Sequence, residues 1–208
     1  MQLKHSERTP FELPSGRSRK MRQKRYSATD QSVFSLQIVS DKYTLSRVRQ
    51  LRKQKLRPVY PEMNFDNEPL DDQALVLYSV NTDGQVNSTA RLSVDGKIPL
   101  PEESFLSEYR EQNKRLCEWG RFAIDHGDRN LLKTYYRTVY LLASRMQCDA
   151  VVMAMKPKDI GLHKRLIGVR VVEPDMKITY GGEHSLACVL WDIKNTKSRF
   201  FNWAGGAK

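Results

Sequence analysis

The strongest constraint in the sequence is a pair of apolar runs, residues 116–125 (LCEWGRFAID) and 149–155 (DAVVMAM), with a helical pattern between them. His126-Gly-Asp-Arg-Asn130 breaks the first run. Residues 131–146 then carry Leu132, Tyr136, Val139, Tyr140 and Ala143 at intervals of three to four. Two strands joined through so long a helix are parallel neighbours, and within one sheet such a crossover is right-handed. The chain must hold a sheet with at least one parallel pair, covered by a helix.

Upstream the signals are antiparallel. Residues 74–80 (ALVLYSV) form an apolar strand, Asn81-Thr-Asp-Gly84 an Asp-Gly turn, and residues 86–94 a return strand carrying Arg91. Residues 33–38 alternate as a strand. Ser40-Asp41 caps a basic helix over about 42–56, which ends before Pro58. The following stretch, RPVYPEMNFDNEPLDD, reads as a loop. Residues 101–114 read as a helix, with Pro101 in its first turn and Glu102 and Glu103 near its positive end. Residues 158–167 form a short helix, 169–173 and 186–193 two strands, and the aromatic residues of FFNWAGGAK dock on the core. The class is α/β (α+β): a mixed, mostly antiparallel central sheet flanked by helices, in a single domain. That domain spans 31–208. Residues 1–30, with eight basic residues against Glu7, Glu12 and Asp30, read as a flexible basic arm.

Charge restricts the partners. The net charge is +11 and the pI about 9.6, which points to something acidic: nucleic acid, an anionic surface, an acidic protein or a phosphorylated ligand. No helix-turn-helix, zinc-finger or RRM signature is present, so a nucleic-acid-binding protein is the alternative of another class rather than the leading one. Cys117, Cys148 and Cys188 lie singly in apolar runs and read as buried reduced thiols. The four histidines have no ligand spacing, and no metal site is expected. No apolar run is long enough for a transmembrane segment and no leader is evident, so the expected location is cytoplasmic.

The run CEWGRFAID places a carboxylate and a guanidinium among apolar neighbours. A buried charge costs several kcal/mol unless it is paired or used, roughly the penalty that remains after relaxation. Residues three apart on a regular strand face opposite sides, so Glu118 and Arg121 share a face only if the strand bulges, and Gly120 invites a bulge. Two readings of Glu118 stand: a structural tie to Arg121, or a base for an amine. Arg91 is either an exposed strand residue, a clamp for a carboxylate or a tie to the acidic loop. Asp66, Asp71 and Asp72 are either solvated or paired with Arg49 or Arg52. Lys156, Lys158, Lys164 and Arg165 form a basic set after strand 149–155.

Four segments in order carry a family resemblance: RVRQLRKQKLRP, FDNEPLDDQALVLYSV, NSTARLSVDGKIPLPEESFL and CEWGRFAID. Over about 34–193 the chain resembles the GNAT acyltransferases, in the branch of long-chain N-acyl amino acid synthases and acyl-homoserine lactone synthases. The resemblance implies transfer of a medium or long acyl chain from acyl carrier protein to the α-amine of an amino acid acceptor, tyrosine-like in some of the branch. The donor would be an acyl-phosphopantetheine thioester, with no tightly bound cofactor. It also implies Glu118 as base or amine-orienting carboxylate, and Arg91, Arg121, Phe122, Ala123 and Met155 at the substrates. Phe122, Tyr136, Met153 and Met155 would line an acyl tunnel. Gly120 would supply a bulge that splays the strand, supported by Arg52, Asp66 and Asp72. The glycine loop of acetyl-CoA-using relatives is replaced by HGDRNLLK, leaving Arg129 and Asn130 at a helix start to meet the phosphopantetheine arm, with Lys156, Lys158, Lys164 and Arg165 facing the carrier. The lactone synthases, which take S-adenosylmethionine, are the alternative. Tyr60 and Met63 stand near where those enzymes carry a Phe and a Trp, which favours the amino acid reading.

Overall fold

The computed structural model describes residues 35–96, 98–125, 129–176 and 185–205. The basic arm at 1–30, Val33 and Phe34 of the first strand, and His126-Gly127-Asp128 lie outside the described residues.

Seven strands form one sheet in the order β1-β2-β3-β4-β5-β7-β6. They are β1 (Gln37–Ile38), β2 (Ala74–Val80), β3 (Val86–Val94), β4 (Leu116–Ile124), β5 (Ala150–Met155), β6 (Arg170–Met176) and β7 (Leu186–Asp192). Every pairing is antiparallel except β4 with β5, the pair joined by helix α3 (Arg129–Arg145). The expected mixed, mostly antiparallel sheet is present.

Local chemistry sets the boundaries. Helix α1 (Lys42–Leu56) starts where Asp41, extended at φ −144°, accepts the Thr44 N–H at 2.8 Å and the Thr44 hydroxyl at 2.8 Å. It ends just before Pro58. The β2–β3 turn closes as Asn81 Oδ1 accepts the N–H groups of Asp83 and Gln85, and Gly84 takes the left-handed φ of +73°.

One expected element differs. The helix over 101–114 is instead a 3-10 turn, Glu103–Phe105, followed by a five-residue helix α2 (Ser107–Glu111). Arg110 reaches both Glu103 and Asp95, at 2.7 Å each. These ties to the end of β3, with Leu106 fully buried at the break, override a helix pattern that has no side-chain cap.

The sheet is covered on both faces, and β7 is apolar on both. Ala187, Val189 and Trp191 join the main core under α3 and α5 (Ser198–Ala204), while Leu186, Cys188 and Leu190 join a second cluster with Leu100, Leu106 and Tyr109. Phe200 docks on Trp191 and Tyr140, and all three cysteines are buried and free. Helix α4 (Pro157–Leu166) follows β5. No helix among the described residues is long and apolar enough to cross a membrane.

Candidate active site

The site forms where the parallel pair comes apart. β4 and β5 pair through only three rungs, Leu116 with Ala150, Cys117 with Val151 and Glu118 with Val152. Beyond Glu118 the strands diverge. On its other edge β4 remains paired with β3, but irregularly: Gly120 faces Arg91 and Ala123 faces Thr89, so Arg121 and Phe122 together oppose Ala90. That is a β-bulge, and it re-aims side chains. Trp119 and Phe122, three apart, now share the α3 face, their rings 5.6 Å apart, and Phe122 packs against Tyr135 at 5.1 Å. Arg121 joins Glu118 on the opposite face, toward α1.

The bulge differs from the expected one in its agent. The left-handed residue is Arg121, at φ +54°, not Gly120. A bulky non-glycine residue rarely adopts this conformation, and it costs of order 1 kcal/mol or more. Gly120 has another task. A Cβ built there would stand 1.7 Å from Glu118 Oε1, so the missing side chain is the space that the carboxylate fills.

Glu118 is 2% exposed. The Arg91 guanidinium donates to it from Nε and Nη2 at 3.3 Å. Arg91 Nη1 donates to Glu68 Oε2 at 3.1 Å, and Arg121 Nε donates to the same oxygen. Arg52, from α1, donates to Glu68 at 3.1 Å and to Asp71 at 2.8 Å, and Arg49 reaches Asp71 from the rim at 3.1 Å. Three guanidiniums, of Arg52, Arg91 and Arg121, thus face three carboxylates, of Glu68, Asp71 and Glu118. The expected tie between Glu118 and Arg121 runs through Glu68 and Arg91. Breaking one partner of such a buried set leaves an uncompensated charge.

Of the three expected loop carboxylates, Asp71 makes the pairing with Arg49 and Arg52, and Glu68 joins it. Asp72 is exposed and Asp66 pairs with Lys53 at 2.8 Å near the surface. Asp71 and Glu68 turn inward. They lie three apart at the start of the 3-10 turn Pro69–Gln73, a spacing that puts both on one side. That spacing was the available signal for Glu68, which sequence reasoning passed over.

Glu102 was also passed over in this role. It is 3% exposed, its Oε2 meets no donor among the described residues, and burial pushes its carboxyl up to about 8. The nearby Glu118 charge pushes the same way, while Arg121 and Arg91 pull down. Ser93 Oγ, opposite Glu118, and Thr89 Oγ1, on the same face of β3, also lack partners among the described residues.

The remaining sequence candidates are spread around this centre. Ala123 is buried opposite Thr89, and Met155 packs partly buried at the end of β5. Tyr136 and Met153 lie in the main core, where the Tyr136 hydroxyl meets His163 Nε2. Arg129 and Asn130 open α3, and Lys156 precedes the first turn of α4. Lys158, Lys164 and Arg165 are exposed. Arg165 lines an open depression of about 440 Å³ with Lys197, Ser198 and Arg199, so the basic face continues from α4 onto α5.

A buried carboxylate at the last rung between two strands, held by a guanidinium, can accept a proton or orient an amine while a neighbouring N–H meets a developing oxyanion. Comparison with known proteins agrees with an acyl-transfer fold. The structure of FeeM, an N-acyl amino acid synthase from uncultured soil microbes, superposes with a TM-score of 0.69 at 16% identity, covering 84% of this chain and 98% of that one. The acyl-homoserine lactone synthase LasI matches at 0.63 and 18% identity, over 84% and 96%. BjaI, a CoA-dependent acyl-homoserine lactone synthase, matches at 0.61 and 14%, over 84% and 91%. No curated protein matches by sequence. The fold is GNAT-like. The sequence profile of the N-acyl amino acid synthase FeeM matches residues 20–188, most of the chain. The protein is therefore an N-acyltransferase and belongs to the FeeM family of N-acyl amino acid synthases.

Proposed function

We propose that the protein moves a medium or long acyl chain from the phosphopantetheine thioester of an acyl carrier protein to the α-amine of an amino acid, with a tyrosine-like residue as the first acceptor to try. The observation that carries this reading is the Arg91-bound Glu118 carboxylate at the point where β4 and β5 separate. The acyl thioester enters the gap, the amine lies beside Glu118, and Arg121 or Arg91 receives the acceptor's carboxylate. Glu118 takes a proton from the amine directly or through a water, and a β4 backbone N–H meets the carbonyl oxygen as it gains charge. The basic face from Lys156 to Arg199 supports an acidic carrier as donor.

The test offers the purified protein an acyl carrier protein thioester or acyl-CoA, with the amino acids or S-adenosylmethionine. Product is read by mass spectrometry. N-acyl amino acids formed faster from the carrier thioester support the reading. Faster use of acyl-CoA replaces the donor, and lactones with no N-acyl amino acid overturn the acceptor. Glu118→Gln is expected to lower turnover by about 10²–10⁴, the range for loss of a positioned base, with carrier binding unchanged.

A further inference from the structure

One buried carboxyl stands outside the ion-pair network. Arg49, Arg52, Arg91 and Arg121 are each bonded to Glu68, Asp71 or Glu118, and Glu102 lies beside this set with no cation paired to it among the described residues. Its position is telling. It lies between Leu100 and Leu106, which pack with Val152 of β5 and Cys188 of β7, and those two residues pair with Glu118 of β4 and Ala154 of β5. Glu102 therefore belongs to the segment that covers the sheet face on which Glu118 and Ala154 lie. Ala154, on that face, is exposed, so the region is open to a ligand. The neighbouring Glu103 is engaged elsewhere, with Arg110.

We propose that Glu102 and Glu118 form an acid–base pair for the acyl transfer, Glu118 accepting a proton from the acceptor amine and Glu102 delivering one to the sulfur of the departing thiol. The proposal rests on the acyl-transfer reading above. Two carboxyls whose surroundings differ this much take different roles. Glu118 has both oxygens bonded to a guanidinium. The Glu102 carboxyl, buried and without a partner among the described residues, is pushed up to about 8 by burial.

The protons balance. The acceptor enters as an ammonium and gives one proton to the Glu118 carboxylate. Its nitrogen attacks the carbonyl carbon and forms the C–N bond. The intermediate collapses, the C–S bond breaks and its electron pair leaves on sulfur, which takes the Glu102 proton. The second nitrogen proton reloads Glu102, and the proton on Glu118 goes to solvent. Each turnover yields one amide, one thiol and one released proton.

The test compares leaving groups. Wild type and Glu102→Gln are assayed with L-tyrosine and two donors of the same acyl chain: the pantetheine thioester, whose alkyl thiolate needs a proton, and the thiophenyl ester, whose thiolate leaves without one. Glu102→Gln is expected to slow the pantetheine donor about 10²-fold and the thiophenyl donor less than about threefold, general acid catalysis being worth that much. The wild-type rate with pantetheine should fall as pH rises through about 8, and the variant should lose that limb. Equal slowing on both donors, or none on either, overturns the proposal. Should Glu102→Gln fail to fold, Glu102→Asp is expected to keep the wild-type ratio between donors, and a changed ratio counts against the pair. A wild-type protein that transfers to none of the amino acids, from these two donors or from the acyl carrier protein thioester, overturns the acyl-transfer reading itself, and this outcome is read without any variant.

Discussion

Gly120 leaves the space that the Glu118 carboxylate occupies, with Glu118 Oε1 only 1.7 Å from where a Cβ at position 120 would lie. The glycine is required by a side chain two residues away on its own strand, since its backbone is not among the left-handed ones. Gly120→Ala is expected to expel the carboxylate from Arg91, destabilise the fold by roughly 3–5 kcal/mol and abolish most turnover, as for a buried charge pair broken on one side. In a Glu118→Ala background the same substitution should cost far less. Denaturant melts of the four proteins give the coupling, and additive effects would refute the steric account.

Glu68 accepts from three guanidiniums, those of Arg52, Arg91 and Arg121. Glu68→Gln keeps the shape and removes the charge that these three guanidiniums share. The expected loss of stability is about 3–5 kcal/mol. Asp72→Asn, four residues on and exposed, should change stability by less than about 0.5 kcal/mol. Urea titrations of the two variants check the contrast.

Glu102 makes stability depend on pH in a definite direction. Its carboxyl sits at about 8 in the folded chain against an ordinary 4.5. Below 4.5 both states hold the proton. Between 4.5 and 8 the unfolded chain has released it while the folded one retains it, so stability falls as pH rises, by up to about 1.4 kcal/mol per unit, and levels off above 8. Glu102→Gln has no proton to lose. Its melting temperature relative to wild type should climb from pH 5 to pH 8. A difference that stays constant with pH would mean that Glu102 is ionised in the folded protein.

The basic face can be tested apart from the chemistry. Reversing Lys164 and Arg165 together to Glu is expected to raise KM for an acyl carrier protein thioester about tenfold with kcat unchanged, and to leave the small pantetheine donor unaffected. The wild-type KM for the carrier should rise with salt, and the reversed variant should lose that dependence. Equal KM values for both proteins on the carrier would remove this face from the docking surface.

What was legible in the sequence follows the range of the physics. Helix α1, the β2–β3 hairpin and the β4–α3–β5 unit rest on local signals: the Asp41 cap, the Asn81–Gly84 turn and the periods of the apolar residues. The bulge was legible as a need, because Glu118 and Arg121 had to reach one face, but its agent was not. Glycine is the usual sign of a left-handed residue, and here the strained φ falls on Arg121, held by its bond to Glu68 fifty-three residues away. Glu68 sits in a stretch that reads as an acidic loop, and Glu102 in one that reads as the first turn of a helix. Their burial is decided by Arg91 and by the packing of Leu100 and Leu106, contacts that no local pattern encodes.

The three-rung contact of β4 with β5 has a mechanical consequence. The sheet is two stiff plates, β1–β4 and β5–β7, welded along a seam of three residue pairs at Leu116–Glu118. Most sheets are stiffest at the centre and fray at the rim. This one has its soft line down the middle, and a chain laid into the gap beyond Glu118 would finish the weld. Substrate is then a strut as well as a reactant: occupancy should slow amide exchange on both sides of the seam, from Trp119 and Met153 outward, while the outer strands exchange as before.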